Sequence, residues 1–188
     1  MGRWQPGARG RLGQAALELY VERGYDQTTV AEIAERAGVT ERTFFRYFTD
    51  KREVLFQGSA ELQRIALAAI AASPEPVVPI DAVASAIGEI AGVLQGGRAH
   101  ARQRAAVVDA HPALRERELL KMESLASAMS VALEARGVPA AAALIAGQAG
   151  ITVFRISYER WVADSAADDY RRLVGESFQE LKAVTAGG

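Results

Sequence analysis

Three observations predict an all-α fold. Apolar residues recur at spacings of three and four along most of the chain, no stretch shows the alternation of a strand, and Gly- or Pro-containing breaks cut the pattern into helix-length pieces. The 188 residues, 49% of them hydrophobic, suffice for a sizeable core divided between a small and a larger helical part. Cysteine is absent, which excludes disulfides, thiolate metal sites and a cysteine nucleophile. No apolar run is expected to approach the roughly 20 residues of a membrane span, and the start, MGRWQPGARGR, lacks the apolar stretch of a secretory signal. These points set the expectation of a soluble cytoplasmic protein.

The first helix is predicted from about Ala8 to Arg23, with Leu12, Ala16, Leu19 and Tyr20 on one face and Gly24 as a left-handed cap. Thr29 followed by Glu32 makes a capping box for a second helix, in which Val30, Ile33, Ala34 and Ala37 share a face. Gly38 turns the chain, and Thr40 caps a third helix whose Phe44 and Phe48 point inward with Val39. Asp50 and Glu53 then start a fourth helix carrying Val54, Leu55, Ile65 and Leu67, which ends at the break SPEPVVP, residues 73–79. Further helices are expected near 80–95, 98–109, 112–136, 139–164 and 167–185, separated by GG, HP, GVP and DSAAD. The string EVLFQG, from Glu53 to Gly58, matches the recognition site of a picornaviral 3C protease, but it continues the helical pattern and is read as native sequence.

Two short helices joined by a Gly turn, with basic and aromatic side chains on the second, have the layout of a helix-turn-helix that places its second helix in the DNA major groove. Around that helix Glu41, Arg42, Thr43, Phe45, Arg46 and Tyr47 remain for the outer surface. Arg42 has the guanidinium fork that suits guanine O6 and N7, and Thr43 offers a hydroxyl and a methyl. Glu41 can accept from cytosine N4 or discriminate by repelling phosphate; Arg46 has equal claims on a base or the backbone.

The run TTVAEIAERAGVTERTFFRYFTDKREVLF resembles the N-terminal signature of the TetR family of bacterial repressors, over about Arg9 to Phe56. The resemblance implies a helix-turn-helix DNA-binding domain at 1–50, a linking helix at 51–72 and a helical ligand-binding and dimerisation domain at 73–188. It also implies phosphate contacts by Thr29, Thr40, Tyr47 and Lys51. Where many relatives carry Tyr this chain has Phe45, which keeps only a ring contact and puts one phosphate contact in doubt. Expected partners are a palindromic double-stranded operator, a second copy of the chain and a small-molecule effector, with no membrane, no metal and no cofactor.

Charge is consistent with a local footprint. Residues 1–52 hold nine Lys/Arg against seven Asp/Glu and the remainder thirteen against sixteen, with Arg3, Arg9 and Arg11 in an N-terminal arm and Arg42, Arg46, Lys51 and Arg52 around the second helix of the motif. The arm can enter a minor groove or fray as a solvated terminus.

In the larger part, Ile151, Phe154, Tyr158 and Trp161 form one bulky helical stripe. Phe154, Arg155, Tyr158 and Trp161 are the candidates for lining an effector cavity, against the plainer role of core or dimer seam. Ala143, Ala146, Gly147 and Gly150 permit close helix approach, as a symmetric helix pair needs, and Tyr170, Leu173, Val174, Phe178 and Leu181 offer a complementary face. His100 and His111 give no zinc spacing, Asp109 with His111 is a weak pair, and His111 before Pro112 reads as a helix-entry residue. With no phosphate loop, nucleophile elbow or paired carboxylates to name, the chain is read as a regulator and not an enzyme. Two rivals stay open: a DNA-binding regulator without a small-molecule ligand, and a helical interaction or enzyme protein with an incidental helix-turn-helix.

Overall fold

A computed structural model describes residues 7–163 and 169–186. All regular structure among them is helical: α1 Ala8–Arg23, α2 Val30–Arg36, α3 Glu41–Tyr47, a 3-10 turn Glu53–Phe56, α4 Ser59–Ala71, α5 Pro79–Leu94, a second 3-10 turn Gln95–Gly97, α6 Arg98–Ala110, α7 Pro112–Glu134, α8 Ala140–Ala163 and α9 Tyr170–Thr185. The expected DSAAD break lies outside the described residues.

The chain forms two compact units, Met1–Gly58 with Gln103–Glu118, and Ser59–Arg102 with Leu119–Gly188. In the first, Leu12, Leu19, Ile33, Phe44, Val54 and Leu114 are among the buried side chains of one core. Its return segment is the elbow where α6 meets α7, and Val107, Val108 and Leu114 insert into that core from far along the sequence. In the second unit the apolar face of α5 (Val83, Ile87, Ile90) is buried with Phe154 and Trp161 of α8 and Leu173 and Phe178 of α9.

The single fourth helix expected from Asp50 is instead two pieces, the 3-10 turn and α4, with Gly58 between them. Asp50 does act as a cap, accepting from the backbone N–H of Arg52 at 2.8 Å and Glu53 at 3.2 Å. Val54, Leu55 and Phe56 are buried in the first core, whereas Ala66 and Ile70 of α4 are buried in the second, so the two apolar sets do not share a straight helix.

The small residues of α8 serve packing within the chain. A β-carbon on Gly147 would lie 2.8 Å from the Ala126 carbonyl oxygen of α7, and one on Gly150 would lie 2.2 Å from Val83 Cγ1 of α5. The face Tyr170, Leu173, Val174 and Phe178 is likewise buried in the protomer's own core. Neither set is left for a partner. Contrary to the expectation of no membrane-length apolar run, α8 is long and apolar enough to cross a membrane by length and composition. Its inward residues, including Ala143, Ala146, Val153 and Phe154, pack in the second core, while Leu144, Ile145 and Ile156 are exposed.

An unanticipated feature closes the end of α4. The Arg136 guanidinium donates to the carbonyls of Ile70 at 2.7 Å, Ala71 at 2.8 Å and Ser73 at 2.8 Å, satisfying acceptors that a helix end leaves open.

Candidate nucleic-acid interface

The motif is built from local bonds outward. Thr29 caps α2, with its hydroxyl accepting from the Glu32 N–H at 3.2 Å while Glu32 Oε2 accepts from the Thr29 N–H at 2.8 Å. Those bonds to Thr29 hold the Glu32 carboxyl below its usual range. Gly38 turns the chain at φ 66°, where a β-carbon is strained, and the Val39 N–H bonds back to the Ala34 carbonyl at 2.9 Å. Thr40 caps α3 through the Thr43 N–H at 3.2 Å. Both threonines thus use their hydroxyls within the motif.

Phe44 is fully buried and Phe48 nearly so, their ring centroids 5.5 Å apart, and this pair fixes the rotation of α3. That rotation exposes Glu41, Arg42, Phe45, Arg46 and Tyr47 and leaves Thr43 half-buried. Arg42 makes no hydrogen bond or ion pair among the described residues. Arg46 lies over the Tyr47 ring at 4.9 Å and donates to its hydroxyl at 3.3 Å, so these two side chains act as one cationic, aromatic surface. Phe45 is 55% exposed, its ring edge-on to that of Phe44 at 5.4 Å.

Lys51 does not point out with the others. Its ammonium donates to the carbonyls of Tyr25 at 2.8 Å, Thr28 at 2.9 Å and Asp26 at 3.4 Å and lies 4.4 Å from the Tyr25 ring centroid. The Lys51 carbonyl in turn accepts from the Tyr20 hydroxyl at 2.7 Å, and burial pushes that phenol's pKa up. An ammonium has three donors, and all three face the α1–α2 turn. Arg9 and Arg11 belong to the first turn of α1, neither in a groove-entering arm nor frayed. Arg9 donates to the Gln57 carbonyl at 2.9 Å, and Arg11 to the Ala37 carbonyl at 3.1 Å, at the end of α2. Arg3 lies outside the described residues.

The elbow adds charge around this unit. Arg104 donates to the Leu55 carbonyl and to Glu118, each at 2.9 Å, Arg117 pairs with Glu53 at 2.8 Å, and the His111 ring sits 5.2 Å from that of Tyr25 with Nδ1 3.8 Å from Asp26. His111 is also the entry residue of α7, its carbonyl accepting from the N–H groups of Leu114 and Arg115.

In the second unit Phe154, Tyr158 and Trp161 come together and Arg155 does not. Trp161 stacks on Tyr170 at 4.6 Å and 11°, Phe154 and Tyr158 stack at 6.0 Å, and the Tyr158 hydroxyl donates to the Ala101 carbonyl at 3.1 Å. Arg155 is exposed.

Residues 13–57, the stretch that builds the motif, match the model for bacterial regulatory proteins of the tetR family. The transcriptional regulator TcmR of Streptomyces glaucescens is 37% identical over 89 residues, 47% of this chain and 39% of TcmR. The segment that builds the motif is therefore a TetR-family one.

Among solved structures, FadR of Bacillus subtilis in complex with stearoyl-CoA superposes with a TM-score of 0.62 at 19% identity, covering 92% of this chain and 96% of that one. FadR of Thermus thermophilus, a TetR-family transcriptional repressor in complex with lauroyl-CoA, gives a TM-score of 0.52 at 24% identity, with 93% of each chain covered. At these identities the likeness is one of fold. The aligned segment spans about two-fifths of TcmR. Outside the motif the sequence reading missed the elbow and Arg136: their partners lie 14 to 86 residues away, beyond the reach of helical periodicity.

Proposed function

We propose that the chain is a DNA-binding transcriptional regulator, a cytoplasmic repressor that holds a palindromic operator as a homodimer and releases it when a small molecule binds. The observation that carries this reading is α3 itself. Phe44 and Phe48 anchor its inner face, and Glu41, Arg42, Phe45, Arg46 and Tyr47 stand outward together. Arg42 supplies base discrimination, the Arg46–Tyr47 pair grips sugar and phosphate, and Phe45 offers its ring to sugar or a thymine methyl. Thr29 and Thr40 contribute through the helix ends they cap, and Lys51 contributes by holding the turn behind them.

One seven-residue helix reads too few bases for an operator, so a two-fold pair with matching half-sites is required. Support for a second copy comes from the outer face of α8, where Ile145 is 69% and Ile156 41% exposed, with the exposed Thr152 between them. A ligand releases DNA only to the extent that it binds the released conformation better. Helices α6 and α7 each supply residues to both compact units on one backbone, which makes them, with α4, the covalent route for that coupling.

A second reading drops the small molecule and keeps the DNA. The dense packing of Trp161 on Tyr170 favours it, since a stripe already stacked as core leaves Phe154, Tyr158 and Trp161 to line a cavity only if the cluster opens. Nuclease footprinting of the purified protein on DNA flanking its own gene tests the main proposal. A two-fold symmetric protected segment bound by two copies is expected, and a single copy on an asymmetric site would overturn it.

A further inference from the structure

The outward side chains of α3 are not equally free. Arg46 is held by Tyr47, 4.9 Å from its ring and 3.3 Å from its hydroxyl, and the Phe45 ring stands edge-on to the buried Phe44 ring at 5.4 Å. The first turn is capped by Thr40, whose hydroxyl accepts from the Thr43 N–H at 3.2 Å and shares a hydrogen bond with the Thr43 hydroxyl at 3.2 Å, so Glu41 takes no part in the cap. Glu41 and Arg42 are both exposed, and among the described residues neither makes a hydrogen bond or ion pair, with each other or with any neighbour. Two adjacent, opposite and uncommitted charges thus stand on the face assigned to DNA. The carboxylate suits the helix dipole, but on a surface that meets phosphates it opposes binding unless it lies against a donor.

We infer that Glu41 and Arg42 read one C·G base pair together, the carboxylate accepting from the cytosine N4 amino group and the guanidinium donating to guanine O6 and N7. This rests on the DNA-reading role proposed above for α3. In the major groove cytosine presents a donor and no acceptor, and its guanine presents two acceptors, so an acceptor and a donor side by side match that pair as a whole. Reversal to G·C sets the carboxylate against O6 and N7 and the guanidinium against the N4 amino group. Either orientation of A·T brings an acceptor, adenine N7 or thymine O4, to the carboxylate. Glu41 therefore selects by what it repels as well as by what it binds, and each half-site carries the pair in a fixed orientation.

Full-length wild type, Glu41→Ala, Glu41→Gln and Arg42→Ala are each put through selection from a random duplex pool, and the enriched wild-type duplex and its single-pair changes are then titrated with all four, thermal melts checking that each variant is folded. One oriented C·G pair per half-site is expected for the wild type. Preference at that position is expected to fall by about 5–10-fold in Glu41→Ala, the lower end of what one base pair contributes. The fall is expected to be smaller in Glu41→Gln, whose amide oxygen still accepts from N4, and Arg42→Ala is expected to relax the same position. If Glu41→Ala and Glu41→Gln alike strengthened binding to every duplex, Glu41 would only repel phosphate and the inference would be overturned. Relaxation at different positions by the Glu41 and Arg42 variants would overturn the joint reading, and a wild-type motif unmoved by Glu41→Ala would overturn the inference alone. A wild type that enriches no motif would remove the DNA-reading role of α3 and this inference with it.

Discussion

Replacing Lys51 by Met keeps the aliphatic stem and removes the ammonium, and the structure turns that change into a stability measurement. Two charge-assisted bonds are lost, to the carbonyls of Tyr25 at 2.8 Å and Thr28 at 2.9 Å, with a longer one to Asp26 at 3.4 Å and the contact with the Tyr25 ring at 4.4 Å. Hydrogen bonds to charged groups contribute about 1.5–3 kcal/mol each and a surface cation–π contact about 0.5–1 kcal/mol. Lys51 is half-buried and water recovers part of this, so the expected cost to the first unit is roughly 2–4 kcal/mol. That is a large share of a typical stability of about 5–15 kcal/mol. Urea titration followed by circular dichroism reads the loss, and operator titrations over a range of salt read the mechanism. A clamp leaves the salt slope unchanged, whereas a phosphate contact lowers it by about 0.9. Stability within about 0.5 kcal/mol of wild type, together with a slope reduced by about 0.9, would refute the clamp and return Lys51 to the DNA.

Gly147→Ala puts a β-carbon 2.8 Å from the Ala126 carbonyl and is expected to cost about 1–3 kcal/mol in urea without changing the sedimentation of folded protein; dissociation without destabilisation would place Gly147 in an interface instead. The bond Gln57–Gly58 is expected to resist 3C protease in native buffer and to be cut in denaturing urea, because Val54 and Phe56 of the recognition string are 0% and 4% exposed; gel analysis showing rapid native cleavage would contradict that burial. Burial alone would raise the Asp50 carboxyl, but the Arg52 guanidinium and the backbone N–H groups of Arg52 and Glu53 outweigh it and hold its pKa below the usual range. Its contribution is therefore present above the unfolded carboxylate pKa and fades as pH falls through the lowered value: urea midpoints should be level at about pH 6–8 and drop below about pH 4, less steeply in Asp50→Asn, and an identical acid profile in that variant would remove Asp50 from the account.

What the sequence made legible was whatever local chemistry decides. Helix α1 was read from Ala8 to Arg23, and so it is, because its apolar spacing and the glycine after it are sufficient. Gly24 has the positive φ that was expected, 88°, though its ψ of 155° is extended where a left-handed cap would be helical. The capping box at Thr29 and the cap at Thr40 were visible because each bond spans three residues. The bonds that hold Lys51 were not legible, for the opposite reason. A lysine beside a DNA-reading helix looks like a phosphate contact until the fold brings the Tyr25 and Thr28 carbonyls to it from more than 20 residues away. The glycines of α8 were recognised as close-approach residues, but spacing cannot say whether the approaching helix belongs to the same chain or to another. It is Ala126 of α7 and Val83 of α5 that fill those places. The stripe of Phe154, Tyr158 and Trp161 was legible as a stripe, and its closure by Tyr170 was not, since nothing local points from α8 to the start of α9.

The central claim is that α3 reads DNA through the side chains that Phe44 and Phe48 turn outward, and selection from a random duplex pool by the purified protein, run in parallel with Arg42→Ala, tests it most directly. The account predicts an enriched inverted repeat with half-sites about one helical turn apart for the wild type, and loss of preference at one position per half-site in the variant. An unselected pool, or the same motif at the same strength from both proteins, would contradict it.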